Sequence, residues 1–474
     1  MEAQVVAHAN AGSTSYARRL TLFDGIMVVV GGIIGAGIFL NPAIVAQRVT
    51  TSGLILAVWA LGGAIALLGA LCFGELGSRR PDAGGGYVYL REAFGPLFGF
   101  LYGWMMLLVS ATGAIAALAV TFARYTVDVA AMSEGWVKPV AVGAIVLLTG
   151  INYFGVRPGS ITQNIFTVLK LAALAVLIVV GLAWGGAASS SATSAASSAA
   201  SAGGAAASAG GAAADPAGAA GLMMLIGAAL IPVLFSYGGW QHANHIAGEM
   251  IRPKRHLPRA LLIGVAVVVV TYLLANAAYV YTLGPAGLAA SLAPASDVMR
   301  AVLGETGSTF IGLGIVASTF GILNLYIMAA PRVYQAMADD NLFFKRFARL
   351  HPRYKTPSGP ILLQAGWGIV LTLSGTYSQL LDYVVFGDWI FFALVVATLF
   401  VYRRDRHAGA GSDGAFRMPG YPLLPALFVL VSVFVVYSSV VSNPWNALVG
   451  AVLIGLGIPI YAFWKGKGSP AQSD

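Results

Sequence analysis

The chain has 474 residues, of which 58% are hydrophobic and only 9% charged. No soluble core of this size needs that ratio, so the composition specifies a polytopic membrane protein. The formal charge of +9 does not indicate a nucleic-acid partner, because the basic residues sit in short loops between apolar runs, and the single cysteine, Cys72, excludes a disulfide framework and a cysteine-based metal site.

Residues 1–20 are polar, lack the apolar h-region of a signal peptide and read as a cytoplasmic tail. Apolar runs near the roughly 20 residues that cross a bilayer predict twelve helices, at 22–46, 53–77, 95–127, 137–155, 160–184, 222–248, 259–284, 307–337, 360–377, 380–402, 421–441 and 444–464. Residues 185–220, almost pure Ala, Gly and Ser, read as a flexible extracellular loop with no core of their own. Residues 403–465 hold a cytoplasmic loop and the last two helices, and 466–474 a cytoplasmic tail. With the N-terminus inside, 22 of the 27 lysines and arginines fall on the cytoplasmic side. That bias fixes both termini in the cytoplasm of a multi-pass protein of the cell membrane.

The first helix is interrupted. Gly31-Gly32-Ile33-Ile34-Gly35-Ala36-Gly37-Ile38-Phe39 places four glycines within seven residues, and each costs a helix about 1 kcal/mol relative to Ala. Exposed backbone at membrane depth is tolerated only where it is buried in protein or lines a cavity. The sixth helix carries a second Gly pair in mid-span, Phe235-Ser236-Tyr237-Gly238-Gly239-Trp240, with Pro232 just before it. Close helix packing through small residues explains one such segment. Two in matching places of two five-helix halves, 21–184 and 222–402, point to inverted repeats of a transport core with a midplane site.

The chemistry offered at the breaks is specific. N–H groups of Gly35, Ala36 and Gly37 open the outer half of helix 1 at its positive dipole end, which suits a carboxylate. Carbonyls around Ile33 and Phe235–Ser236 end the other half-helices and suit an ammonium. A site that accepts both is a site for a free α-amino acid.

These stretches, with Glu75-Leu76-Gly77, Gly84-Gly85-Gly86-Tyr87 through Gly95, Asn164-Ile165-Phe166 to Lys170, Glu249 and Phe320-Gly321-Ile322-Leu323-Asn324, resemble the amino acid–polyamine–organocation superfamily of permeases, most closely its L-type amino acid transporter-like branch. The resemblance spans roughly 20–465. It implies an all-α membrane protein with a five-plus-five inverted repeat, broken helices 1 and 6 and two added helices. It also implies amino acid transport by alternating access with no tightly bound cofactor. Carried over by position, Ile33, Gly35, Ala36 and Gly37 resemble the substrate contacts of helix 1, and Phe235, Ser236 and Gly238 those of helix 6, with Phe235 also a gate. Many relatives have Ser where this chain has Ala36, so a hydroxyl contact to the carboxylate is lost while the N–H remains.

Lys170 lies within the fifth span, where an ammonium costs roughly 2.5–3.5 kcal/mol on insertion scales. It is either a structural ammonium held by carbonyls of helices 1 and 8, or a coupling residue. In similar permeases a lysine here takes the place of a sodium ion, which implies sodium independence and leaves proton symport and amino acid exchange both open. His242, His245 and Glu249 share one helical face. A proton relay and a metal site are conceivable there, but satisfied polar packing is commoner and no metal is expected. Glu249 near Arg252 fits a cytoplasmic gate, as does Glu75 beside Arg79 and Arg80. Asp24 suits a helix N-terminus. Asn324 either bonds the substrate or joins helices.

The expected protein is thus an amino acid permease without covalent chemistry, partnered by its substrate, the lipid bilayer and protons, with no obligate protein partner evident. No acid falls in either broken segment and aromatic and small residues dominate there, which favours a neutral substrate over a cationic amino acid or polyamine. A membrane-embedded enzyme would need a nucleophile–base pair or metal cluster, and a channel would need polar rings along several spans. On a Cys72→Ala background, the charge bias predicts that an impermeant maleimide labels Gly135→Cys from outside intact cells, and Arg255→Cys only after permeabilisation.

Overall fold

Lipid offers no partner to a backbone N–H or C=O, so a spanning chain satisfies these groups within helices. The computed structural model describes residues 16–202, 218–374, 377–404, 414–442 and 444–468. Among the described residues there is no strand, only an isolated bridge between Leu20 and Met250. The α-helices are α1 (Leu22–Ile33), α2 (Gly37–Arg48), α3 (Ser52–Arg79), α4 (Gly86–Phe94), α5 (Pro96–Met105), α6 (Ala111–Val129), α7 (Val137–Tyr153), α8 (Val156–Ala202) and α9 (Gly218–Ser236). They continue as α10 (His242–His245), α11 (Pro253–Ala290), α12 (Pro294–Ala329), α13 (Pro331–Asp339), α14 (Ser358–Ser374), α15 (Tyr377–Arg404), α16 (Leu423–Ser442), α17 (Pro444–Gly455) and α18 (Gly457–Gly468). Among the described residues eight helices are long and apolar enough to cross a membrane, or nine if the bent pair α1–α2 counts as one crossing. The Leu225–Ser236 stretch of α9 and all of α14 are apolar but shorter.

Breaks in the helices follow the sequence. Thr21 caps α1 and shares a reciprocal capping box with Asp24, while Asp24 also accepts from Asn164 Nδ2 at 2.7 Å and so ties α1 to α8. α1 ends where Ile34 turns extended, and α2 resumes at 42° to it. The third predicted helix is divided by a π-helical turn at Met106–Ser110. The expected loop at 185–220 begins later than its composition suggests: α8 continues through the Ala/Ser run to Ala202, because alanine is the strongest helix former. Residues 203–217 lie outside the described residues.

α11 packs against α3, α8 and α1, and α12 against α8 and α6, so α1 and its break sit inside the bundle. The two broken segments touch. Gly239 has φ +114°, and a Cβ there would fall 2.1 Å from the carbonyl oxygen of Gly32; a Cβ on Gly32 would fall 2.8 Å from that of Gly239. Two backbones meet at a distance that admits no side chain on either.

The end of the bundle that carries Arg19 and Leu20 holds buried ion pairs. Arg332 Nε donates to Glu249 Oε1 at 2.7 Å, and the two side chains are 1% and 2% exposed. Arg19 and Leu20 donate their backbone N–H groups to the Glu249 carbonyl at 2.8 and 2.9 Å. Glu75 binds Arg79, Arg403 and the Met418 N–H, whereas Arg80 turns to Glu92. The sequence placed Glu249 near Arg252 and Glu75 beside Arg79 and Arg80. Glu75 keeps Arg79 and adds Arg403 of α15 in place of Arg80, and Glu249 takes Arg332 of α13, because a buried carboxylate demands a partner.

Gly239→Ala is expected to lower the stability of the detergent-purified protein by at least about 2 kcal/mol, the strain of a non-glycine residue in that backbone region plus the overlap with Gly32. Gly143→Ala, in α7 with nothing within 4 Å of the added methyl, is expected to leave the thermal unfolding midpoint unchanged.

Candidate functional site

The two breaks open on one cavity of about 290 Å³. Ile33, Gly35, Ala36 and Gly37 from the first break line it with Phe235, Ser236 and Gly238 from the second. All seven residues read from the sequence as substrate contacts in helices 1 and 6 therefore share one cavity. The rest of the wall comes from Gly32, Leu234, Gly239 and Gln241 at the breaks, and from α2 (Leu40, Asn41), α6 (Ala114, Ala117, Leu118, Thr121), α12 (Ile322, Tyr326) and α15 (Asp388, Trp389, Phe392).

No side chain caps α2, whose N-cap is Ala36, so its first-turn N–H groups form an anion-seeking end at the cavity. Ile33 and Ser236 present their carbonyls to Tyr272, whose hydroxyl lies 3.0 and 3.2 Å from the two oxygens. Asn41 Nδ2 donates to Ser236 Oγ at 2.8 Å and to Pro232 O at 2.9 Å. It thus ties the outer half of the first broken helix to the second, and Ser236 Oγ in turn donates to Pro232 O at 2.8 Å. Phe235, 45% exposed, stands in the wall of the cavity as its least covered aromatic.

Lys170 is fully buried behind the first break. Its Nζ donates to the carbonyls of Ile34 (2.7 Å), Gly31 (3.0 Å) and Ser318 (3.2 Å). The cage is built of carbonyls from the first break and from α12. Asn324 does not line the cavity. Its Nδ2 donates to Gly159 O and Gln163 Oε1, and its Oδ1 accepts from Asn152 Nδ2 at 2.8 Å. Of the two roles open to it, the structure shows the interhelical one. Glu249 is remote from the cavity lining. Burial raises its carboxyl above the ordinary carboxylate range, and the Arg332 guanidinium opposes that rise.

His242 and His245 are buried but are not joined to Glu249, which Arg332 holds. Among the described residues no group of three His, Cys, Asp or Glu is placed to hold a metal ion. The sequence reading missed Asp388, whose carboxylate accepts from Ser110 Oγ at 2.7 Å and lines the cavity. Its signal was present: an ionisable residue inside the predicted span 380–402 marks function by default. The two broken segments themselves carry no acid, as read from the sequence; the acid in the cavity comes from the predicted span 380–402.

The profile of the amino acid permease family matches residues 20–463. The chain belongs to that family. It is 29% identical to the serine/threonine exchanger SteT of Bacillus subtilis (strain 168) over 448 residues, covering 94% of this chain and 96% of that protein. The human b(0,+)-type amino acid transporter 1 is 31% identical over 459 residues, covering 95% of this chain and 88% of its own length. The human large neutral amino acids transporter small subunit 2 is 28% identical over 480 residues, with 98% and 84% covered. The protein is therefore a multi-pass amino acid permease, and its relatives are transporters and exchangers, not enzymes.

Gly37→Ala places a methyl carbon 2.7 Å from Ser236 Oγ and 3.1 Å from its Cα. It is expected to weaken amino acid binding at least about tenfold, a loss near 1.4 kcal/mol, read by isothermal titration or ligand-induced thermal shift.

Proposed function

We propose that the protein moves a neutral L-amino acid across the cytoplasmic membrane by alternating access, independently of sodium, in exchange for a second amino acid or together with a proton. The observation that carries this is the meeting of the two interrupted helices at one cavity. The substrate carboxylate would lie at the uncapped start of α2, near Gly35, Ala36 and Gly37. Its ammonium would lie at the carbonyls of Ile33 and of Phe235–Ser236, with Gly238 admitting close backbone approach and Phe235 closing over the bound molecule. The expected core has twelve spans, with inverted repeats over 21–184 and 222–402, and both termini in the cytoplasm as the charge bias requires. Sodium independence is supported by Lys170, whose ammonium already occupies a cage of carbonyls that would otherwise suit a cation. Glu249 with Arg332 forms the gate on the cytoplasmic side.

A neutral side chain is supported by the walls of Leu40, Leu118, Ile322, Phe235, Trp389 and Phe392, and by relatives named for serine, threonine and large neutral amino acids. Asp388 favours a second reading, a cationic amino acid or polyamine, because it puts one carboxylate into that wall.

Proteoliposomes of the purified chain are expected to take up a labelled neutral amino acid equally in sodium and in sodium-free buffer. A panel in which no amino acid moves or binds sinks the proposal. Lys170→Met is expected to cut the rate at least about tenfold, because it leaves three buried carbonyls without a donor; full transport at every pH would remove Lys170 from coupling.

A further inference from the structure

Asp388 faces two spaces. It lines the central cavity, and it also lines a small pocket of about 10 Å³ behind it, shared with Ser110, Gln241, His242, His245 and Tyr102. The carboxylate therefore stands between the cavity and a buried histidine pair. No lysine or arginine lines either space, and among the described residues none forms an ion pair with Asp388. Its hydrogen bond from Ser110 comes from the π-helical turn, a distortion that often marks a functional site.

The histidines behind it have spare capacity. His242 is 2% exposed, and neither ring nitrogen has a partner. Its ring meets Tyr326 edge-on with centroids 4.5 Å apart, and that of His245 at 5.5 Å. His245 places Nε2 2.9 Å from Tyr102 Oη, and its Nδ1 is unpartnered. The groups facing the cluster are thus Tyr102 from α5, Ser110 from the π turn, Gln241 and the histidines around α10, and Tyr326 from α12. None of the neighbours carries a fixed positive charge. A carboxylate only partly open to solvent, set among apolar walls and without a cation, is costly, and a proton is the smallest charge that relieves it. Two buried imidazoles with unpartnered ring nitrogens, both of His242 and Nδ1 of His245, line the same small pocket.

We propose that Asp388 is the proton-carrying group of the transport cycle and that His242 and His245 relay its proton away from the cavity. A proton entering the cavity binds the carboxylate and gives the neutral acid. A water in the small pocket would carry it from the acid to a nitrogen of His242, forming an imidazolium and restoring the carboxylate. His242 passes it to His245, which releases it towards Tyr102 and the N-terminal end of the bundle. Lys170 is not this group: its ammonium is tied to three carbonyls and lies outside the cavity lining. This rests on the transport reading above and decides between its two coupling modes in favour of symport.

The test uses proteoliposomes of the full chain, loaded with a pH-sensitive dye and voltage-clamped with potassium and valinomycin. Protons and labelled neutral amino acid are counted together. The wild type is expected to acidify the lumen at one proton per substrate, and to accumulate substrate about tenfold per unit of inward pH gradient. In Asp388→Asn and His242→Asn, the proton-to-substrate ratio of the remaining flux is expected to fall towards zero. Proton uptake on adding substrate to the wild type in detergent gives a second readout if either variant fails to fold. Substrate movement with no proton at any pH, or an unchanged ratio in Asp388→Asn, overturns the inference and leaves amino acid transport standing. So does a wild type that binds lysine at least about tenfold better than norleucine, which lacks only the ε-nitrogen, with the preference lost in Asp388→Asn; that result makes Asp388 a side-chain subsite. If no amino acid moves at all, the transport reading itself falls.

Discussion

Everything at this site depends on how a helix interrupted at membrane depth finds partners for its backbone. The answer here is nearly complete. The Ile34 carbonyl takes Lys170 Nζ and Ser318 Oγ, at 2.7 and 3.2 Å. The carbonyls of Ile33 and Ser236 share Tyr272, and the Gly239 N–H is taken by Gln241 Oε1 at 2.9 Å. Each partner comes from a different element, α8, α12, α11 or the turn after α9. The break is therefore held by the whole bundle, and the cavity keeps its shape because those donors cannot all move independently.

The same dependence links the site to the ion-paired end of the bundle. The segment that begins at the second break runs through α10 to Glu249, where Arg332 of α13 and the backbone of Arg19 and Leu20 converge. Ile251 N–H returns to the Leu20 carbonyl at 2.7 Å. The N-terminal segment, the broken helix and α13 are thus fastened at one residue. About ten residues of short helical turns connect Gly239 to that fastening at Glu249.

Much of the cavity was legible because backbone chemistry writes itself into sequence. A glycine run or a glycine–proline combination in an apolar span has few explanations in lipid, so Gly31–Gly37 and Ser236–Gly239 identified both breaks and seven of the cavity's residues. Side-chain partners were less legible. Arg332 and Arg403 lie far along the chain from the glutamates they hold, and only packing selects them over the nearer Arg252 and Arg80. Asn324 is mid-span and polar, which fits a ligand contact as well as an interhelical bond; the neighbours Asn152 and Gln163 decide it. Asp388 was visible as a charge in a span but lacked a glycine break beside it. The Ala/Ser run after Gly185 read as a loop by low complexity, whereas alanine content extended the helix.

Tyr272 sets an arithmetic at the heart of the cavity. Its hydroxyl carries one proton and approaches two carbonyls, those of Ile33 and Ser236, so the pair is served by a single donor from that side chain. In the proposed mode of binding a primary ammonium would bring three protons to the same place and satisfy both carbonyls at once, whereas a hydroxyl or an acylated nitrogen would repeat the shortage. The amine would then be selected by a count of donors and not by charge alone, through carbonyls of both broken helices together.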